Sequence, residues 1–178
     1  LRFLDVGCGG GTKVMVAASF FDHADGLEYN PTFATNAIAA VDAAQAKGCT
    51  IFQGDALTFD AYGDYDVIYF YRPLQDEEQI ARMEARILEQ ARPGTILLAP
   101  FQLTLRTALA DRVFHVADDI YIAHMAPDDG ETLRTRAEMV GPDYNLGDPM
   151  IADIAGFFAP LMIAARRCGY VPKRADAP

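Results

Sequence analysis

Short apolar runs alternate with longer stretches of helical periodicity over the first 125 residues of the chain. Runs of this length are typical of buried strands. The stretches between them place apolar residues every three or four positions, which is typical of helices with one buried face. This alternation predicts an α/β fold with a doubly wound, mostly parallel sheet and helices on both faces. The predicted parallel strands are residues 1–6, 24–29, 50–53, 65–71 and 95–99.

Capping residues mark the two longer predicted helices. Asn30 and Pro31 are a favourable N-cap and first helical residue for a helix over residues 31–47. Asp76 and Gln79 have the spacing of a capping box at the start of the next helix. The predicted buried faces of these two helices consist of Ala34, Ala37, Ile38, Val41, Ile80, Met83, Ile87, Leu88 and Ala91.

A hairpin is predicted at the end of the sheet. Residues 113–116 and 120–123 are strand-like and meet at Asp118 and Asp119, a turn signal. We therefore expect an antiparallel edge pair, which brings the sheet to seven strands. Residues 101–109 are expected to form a further helix before this pair.

The chain changes character after residue 125. Residues 126–149 are rich in Pro, Gly and Asp, which predicts a linker or lid with a short helix near 131–139. Residues 150–168 are almost wholly apolar and predict a buried helix bent at Pro160. We expect residues 126–178 to form a helical extension within the same structural unit as residues 1–125. The apolar helix is also a candidate homodimer interface, and its interruption by Asp153 and Pro160 disfavours a membrane span.

Composition narrows the range of partners. The chain has 178 residues, of which 51% are hydrophobic, and this suits one domain with a substantial core. The net charge is −10 and no block of basic residues occurs, which disfavours a nucleic-acid partner. Three cysteines and three histidines are scattered without metal-ligand spacing, so we expect no metal site and a reducing, cytoplasmic location. Because the chain begins inside a predicted strand without Met or a signal peptide, we expect further residues upstream.

A glycine-rich run, Asp-Val-Gly-Cys-Gly-Gly-Gly-Thr, joins the first predicted strand to the first predicted helix. Gly7, Gly9 and Gly11 permit positive φ angles and a close approach of the backbone to a ligand. Asp5 precedes the first of these glycines by two residues, and its carboxylate would attract an ammonium or sulfonium and repel a pyrophosphate. Thr12 stands where the dinucleotide-binding fingerprint requires Gly or Ala. The run therefore favours a positively charged nucleoside ligand over NAD.

This run resembles motif I of the class I S-adenosylmethionine (SAM)-dependent methyltransferases, and the resemblance covers residues 1 to about 125. It implies transfer of a methyl group from SAM, with S-adenosylhomocysteine (SAH) as the product. Glu28, at the end of the second strand, would accept hydrogen bonds from the ribose hydroxyls. Asp55 and Ala56, after the third strand, would contact the adenine. The implied cofactor site consists of Asp5, Gly7, Cys8, Gly9, Gly11, Thr12, Glu28, Tyr29, Asp55, Ala56 and Tyr71.

Tyr71 and Arg72 are the candidate catalytic residues. They follow the fourth strand, where the family places residues that face the methyl group and the acceptor. Tyr71 could present its hydroxyl or ring to the sulfonium or the nucleophile, and Arg72 could bind an acceptor carboxylate or phosphate. The Asn/Asp-Pro-Pro-Tyr sequence of adenine-DNA methyltransferases is missing here, so the expected acceptor is a small molecule or a protein.

Three alternatives remain open. An NAD-linked oxidoreductase would use the same strand–turn–helix unit, although Thr12 counts against it. A protein of the same fold could bind a SAM-like ligand without catalysis. An enzyme that uses decarboxylated SAM for aminopropyl transfer is the third. Glu28 as a solvated strand end and Asp55 as a plain turn residue are the simpler interpretations of those two positions.

Overall fold

The computed structural model of the chain describes residues 1–140, 145–146 and 171–172, with side chains for residues 1–136. The chain divides into two compact units, Leu1–Arg134 and Thr135–Pro178. The strands of the first unit are β1 (Arg2–Val6), β2 (His23–Glu28), β3 (Cys49–Gln53), β4 (Val67–Phe70), β5 (Ile96–Leu98), β6 (Val113–Ala117) and β7 (Ile120–Ala123). The helices are α1 (Thr12–Ala17), α2 (Pro31–Ala43), α3 (Glu77–Gln90) and α4 (Pro127–Val140), with 3₁₀ turns at Tyr62–Asp64 and Ala110–Arg112.

Of the second unit, the structure describes the end of α4 and two short strands. β8 (Asn145–Leu146) pairs in parallel with β9 (Val171–Pro172). The predicted apolar helix over residues 150–168, its bend at Pro160 and its homodimer interface lie outside the described residues. Within the described part of the chain, no helix has the length and apolar character needed to cross a bilayer.

The described strands of the first unit form one sheet with the order β3-β2-β1-β4-β5-β7-β6. β1 to β5 are parallel, and β7 is antiparallel to both β5 and β6. The predicted doubly wound sheet with an antiparallel edge pair is therefore confirmed. The winding reverses at β1, which lies between β2 and β4, and ligands bind at such switch points.

Strand register brings the segments after β1, β2 and β4 together. Val6, the last residue of β1, lies opposite Leu27 of β2 and Phe70 of β4. The residues that follow these positions therefore leave the sheet at the same height. This places the glycine turn, the end of β2 and the start of the β4–α3 connection along one edge.

The predicted caps and most of the predicted buried helix faces are confirmed. The Asn30 side chain accepts hydrogen bonds from the first turn of α2, and the Asp76 side chain accepts one from the backbone of Gln79. Ile38 is the exception, because it is exposed on α2. α2 packs against β2 and the edge strand β3, so only a narrow stripe of the helix meets the sheet. The confirmed positions are Ala34, Ala37, Val41, Ile80, Met83, Ile87, Leu88 and Ala91.

Two predicted helices differ from the structure. Residues 101–109 form turns instead of a helix. Phe101 has a φ of 58°, which a right-handed helix excludes, and the carboxylate of Glu84 holds the backbone N–H groups of Leu103 and Thr104. The short helix predicted near residues 131–139 is longer and begins at Pro127, a favourable first helical residue.

Candidate functional site at the glycine turn

Positive φ angles at alternate residues shape the turn between β1 and α1. Gly7, Gly9 and Gly11 have φ of 79°, 54° and 75°. Residues with a side chain rarely adopt a positive φ, which explains why glycines occupy these three positions. The N–H groups of Gly7 and Cys8 both donate to the carbonyl of Leu27, at 2.8 and 3.1 Å. The turn is therefore fixed to the end of β2.

Two of the turn residues serve packing. A Cβ at Gly11 would lie 3.2 Å from the Cβ of Ala37, so this glycine lets the turn pack closely on α2. Cys8 is buried, and its sulfur would lie 2.7 Å from a Cβ at Gly26 of β2. Burial raises the pKa of the Cys8 thiol to about 12. Cys8 is consequently a neutral packing residue, and only its backbone faces the turn.

Gly9 borders open space. A Cβ built at this position has no neighbour within 4 Å, and the same is true of Gly10. The middle of the turn is therefore not needed for packing. It leaves room for a ligand directly against the backbone.

Glu28 clamps the turn. One carboxylate oxygen accepts a hydrogen bond of 2.8 Å from the N–H of Gly9, and the other accepts one of 2.8 Å from the N–H of Asn30. The side chain is buried at the end of β2. A carboxylate has about four acceptor sites, so Glu28 retains capacity for a ligand hydroxyl.

Asp5 is a buried carboxylate without a partner among the described residues. Its exposed fraction is 1%, and neither oxygen accepts a hydrogen bond there. Burial raises the pKa of this carboxyl to about 6. The positive charge of Lys13 opposes the rise, and the negative charge of Glu28 adds to it. The ammonium of Lys13 lies 5.2 Å from the centre of the ring of Tyr69, the cross-strand neighbour of Asp5. An unpaired buried carboxylate is costly, and a cationic ligand would relieve that cost.

The end of β2 and the segment after β3 border a narrow cavity of about 30 Å³. Asp55 accepts a hydrogen bond of 2.8 Å from the N–H of Leu57, which makes it a turn residue whose other oxygen has no hydrogen-bond partner among the described residues. Pro73 lies so close to Gly7 that a Cβ at the glycine would be 2.5 Å from the proline Cβ. The lining residues are Gly7, Leu27, Glu28, Tyr29, Gly54, Asp55, Ala56, Pro73 and Leu74.

The cavity brings together five of the residues predicted from sequence and adds four that were missed, Leu27, Gly54, Pro73 and Leu74. Pro73 and Leu74 follow β4, and the only sequence signal for them was the strand-breaking proline.

A larger groove of about 420 Å³ lies at the opposite edge of the sheet, beside Asp66 and Arg92. No predicted site residue lines that groove.

Tyr71 and Arg72 come directly before Pro73 of the cavity wall; both are exposed, and neither lines the cavity. The ring of Tyr71 packs edge-to-face on Phe101, with 5.5 Å between ring centres. Arg72 has a φ of 42°, which is uncommon for a residue with a side chain. Phe101 was missed by the sequence reasoning, which placed it in a helix. Among the described residues, no cluster of side chains suited to a metal ion occurs.

No protein-family model matches the chain, and no curated protein matches it by sequence. Solved structures do match. A protein studied for the conversion of a disulfide bond into a thioacetal group during echinomycin biosynthesis is 21% identical, with a TM-score of 0.50. The match covers 56% of this chain and 42% of that one, and at this identity it establishes the fold alone.

Two other solved structures are similar. SAM-bound CalS10 from Micromonospora echinaspora, an amino pentose methyltransferase of calicheamicin biosynthesis, is 27% identical over 56% of this chain and 42% of its own, with a TM-score of 0.48. An RNA methyltransferase from Salinibacter ruber, solved with SAH, is 22% identical over 68% of this chain and 77% of its own, also with a TM-score of 0.48. The chain thus spans less than half the length of the first two neighbours.

Proposed function

We propose that this chain, which has the fold of the class I SAM-dependent methyltransferases, binds SAM and transfers its methyl group to a small molecule or a protein. The observation that supports this most directly is the unpaired carboxylate of Asp5 at the base of a glycine turn that faces open space. SAM carries an ammonium and a sulfonium, either of which would be attracted to that carboxylate. The pyrophosphate of NAD would be repelled by it, which disfavours the oxidoreductase alternative.

The residues present fit the parts of SAM. Backbone at Gly9 would border the amino-acid part, and Asp5 would supply a countercharge. Glu28 would accept from the ribose hydroxyls while it still holds the N–H of Gly9. The free oxygen of Asp55 and the N–H of Ala56 would contact the adenine.

The cavity must widen for a nucleoside to enter. Its volume of about 30 Å³ is far below the roughly 300–1,000 Å³ of sites that bury a small-molecule ligand. Pro73 and Leu74 form the wall that covers Gly7, and they belong to a connection instead of the sheet. We expect this wall to move outward when the cofactor binds.

When bound, SAM supplies an electrophilic methyl group for a direct displacement. The acceptor atom must line up with the methyl group in a site that excludes water, so positioning supplies much of the acceleration. Tyr71 and Arg72, which follow the carboxyl end of β4, would hold the acceptor in that line. The chain's net charge of −10 favours a small molecule or protein acceptor over nucleic acid.

Calorimetric titration with SAM, SAH, decarboxylated SAM and NAD tests the proposal. We expect SAM and SAH to bind and NAD not to bind. Stronger binding of decarboxylated SAM than of SAM would favour aminopropyl transfer, because that ligand lacks the carboxylate. Binding of NAD in preference to SAM would contradict the proposal. A release assay with SAM labelled at the methyl group, run on a panel of acceptors, separates an enzyme from a non-catalytic binder.

A further inference from the structure

Two exposed aromatic rings meet at the carboxyl edge of the sheet. Tyr71 follows β4 and Phe101 follows the neighbouring strand β5. Their exposed fractions are 51% and 68%, and the ring planes make an angle of 70°. We refer to this pair as the aromatic corner. Each ring leaves apolar surface open to solvent beside the proposed cofactor site, where a flat apolar group could pack.

The segment that carries Phe101 is held by a buried charge. Glu84 in α3 has an exposed fraction of 1%. Its carboxylate accepts hydrogen bonds from the N–H of Leu103 at 2.8 Å, the N–H of Thr104 at 2.7 Å and the Thr104 hydroxyl at 2.5 Å. Removal of a partner from a buried charge is strongly destabilising, so this arrangement holds the segment firmly.

Phe101 lies between two fixed points. On one side, the N–H of Ala99 donates to the carbonyl of Asp119 at 2.9 Å, which ties the end of β5 to the hairpin. On the other side are the bonds to Glu84. Phe101 itself has a φ of 58°. A non-glycine residue in this region is strained and persists only where its surroundings enforce it.

The charge next to the aromatic corner selects among possible ligands. Aromatic ring faces bind both neutral rings and cations. Arg72 is bonded to Tyr71, so its guanidinium stays within one side-chain length of the backbone at the corner and disfavours a cationic group there. The same arginine favours a ring that carries a carboxylate.

We infer that the aromatic corner of Tyr71 and Phe101 binds a planar aromatic ring of the acceptor, neutral or anionic, and that Glu84 is the positioning residue that holds Phe101 in place. This inference rests on the proposed function, because it assigns the acceptor class of the same site. Glu84 acts through the backbone of residues 103 and 104 and does not itself contact the acceptor.

The test uses the full chain saturated with SAH and three probes: 4-hydroxybenzoate, benzyltrimethylammonium and glucosamine. Saturation-transfer NMR titrations should detect 4-hydroxybenzoate and give much weaker or no signals for the other two. Phe101→Ala should weaken 4-hydroxybenzoate binding at least fivefold. Phe20→Ala is the matched control, because Phe20 is 75% exposed and follows α1, outside the site. It should leave binding unchanged.

Glu84→Gln tests the positioning role. Each oxygen of the carboxylate accepts a hydrogen bond from one backbone N–H. In glutamine one of these oxygens is replaced by an NH₂ group, which cannot accept that bond, so the segment should loosen. We expect faster amide exchange at Leu103 and Thr104, at least threefold weaker 4-hydroxybenzoate binding, and SAH affinity within twofold of the parent. If Glu84→Gln does not fold, Thr104→Val, which removes only the hydroxyl donor, replaces it and should give a smaller change of the same kind.

Several outcomes would overturn the inference. These are equal 4-hydroxybenzoate binding by the parent and Phe101→Ala, a preference for either of the other probes, or binding of SAH without any probe. Unchanged probe binding in a folded Glu84→Gln would overturn the positioning role. Failure of SAH to bind while 4-hydroxybenzoate binds through Phe101 would instead contradict the proposed function and leave the aromatic corner standing.

Discussion

The carboxylate of Glu28, at the last position of β2, holds the N–H of Gly9 in the middle of the glycine turn at 2.8 Å. The same side chain holds Asn30, which caps α2. One residue thus joins the turn after β1 to the start of the helix after β2. A substitution at Glu28 would therefore weaken ligand binding in two ways, because the turn and the ligand would both lose an acceptor.

Glu28→Ala should weaken SAM binding at least tenfold. Hydrogen bonds to charged groups contribute about 1.5–3 kcal/mol each, and the glycine turn would also lose its clamp. Titration calorimetry measures the affinity, and amide exchange at Gly9 reports the turn. Glu78→Ala, an exposed glutamate in the first turn of α3, is the control and should have no effect. An affinity for Glu28→Ala within twofold of the parent would show that Glu28 is only a strand-end residue.

Two glycine substitutions should separate binding from folding. Gly9→Ala places a methyl group in open space, so we expect at least tenfold weaker SAM binding. The cost of its positive φ is about 1–2 kcal/mol of the free energy of unfolding. Gly26→Ala places a methyl group 2.7 Å from the Cys8 sulfur and 2.8 Å from a methyl of Val14, so it should destabilise the fold by about 1–3 kcal/mol through overpacking. Normal SAM affinity in Gly9→Ala would contradict the assignment of the turn.

Asp5→Asn should stabilise the ligand-free protein at neutral pH. Burial raises the pKa of Asp5 from 3.8 to about 6, so the folded state binds the proton more tightly than the unfolded state. The stability that the protonated carboxyl contributes is fully present below pH 3.8, the ordinary pKa of the group. It is lost as the pH rises through the folded-state pKa of about 6. The variant avoids this loss, which amounts to about 3 kcal/mol at roughly 1.4 kcal/mol per pH unit.

Urea unfolding of the parent and Asp5→Asn at pH 7.5 and pH 3.5 measures this difference. We expect the variant to be more stable by about 2–3 kcal/mol at pH 7.5 and equally stable at pH 3.5. Its SAM affinity should fall, because the countercharge is gone. Equal stability at both pH values would mean that the Asp5 carboxylate has a partner in solution.

Tyr71→Ala and Arg72→Ala should affect the acceptor more than SAM. Both residues are exposed and precede Pro73 of the cavity wall, and neither lines the cavity beside Glu28. We expect SAM affinity within threefold of the parent and a fall of at least tenfold in methyl transfer once an acceptor is known. Calorimetry and the methyl-release assay give the two values. A large loss of SAM affinity in either variant would instead place that residue in the cofactor pocket.

Gly130→Ala should destabilise the protein although alanine is the better helix former. Alanine in a helix interior is normally favoured over glycine by about 1 kcal/mol. At Gly130 of α4, however, a Cβ would collide with the ring of Phe114 on β6. We expect a net loss of about 1–3 kcal/mol in the free energy of unfolding. Gly10→Ala is the contrast, since its Cβ meets open space, and it should cost less than 1 kcal/mol. A stabilised Gly130→Ala would show that the Phe114 ring moves away at little cost.

Interactions between residues close in sequence were predicted well. The caps at Asn30 and Asp76 depend on side chains that reach N–H groups two or three residues away, so their spacing alone identifies them. The alternation of strands and helices and the hairpin at Asp118 follow from local periodicity and turn chemistry. The resemblance to methyltransferases also rested on one local run of glycines after a strand.

The aromatic corner depends on contacts between distant parts of the chain. Residues 101–109 have a helical pattern, but Phe101 adopts a φ of 58°, and Glu84 holds the N–H groups of Leu103 and Thr104 from nineteen and twenty positions away. Phe101 therefore meets Tyr71 only after β4 and β5 have paired. A pattern within one segment carries no information about a competing partner from another.

By itself, the sequence determined that the sheet is doubly wound and mostly parallel, and it determined the glycine turn and the acidic positions around it. The tertiary structure decided which of those acids are satisfied. Glu28 is paired with two backbone N–H groups, whereas Asp5 is buried without a partner in the part of the chain that the structure describes. Both are acidic residues at strand positions, and only the packing of β1 against β2, β4 and α1 distinguishes them. The physical reason is that desolvation and hydrogen bonding of a carboxylate are set by all surrounding groups, most of which are distant in the chain.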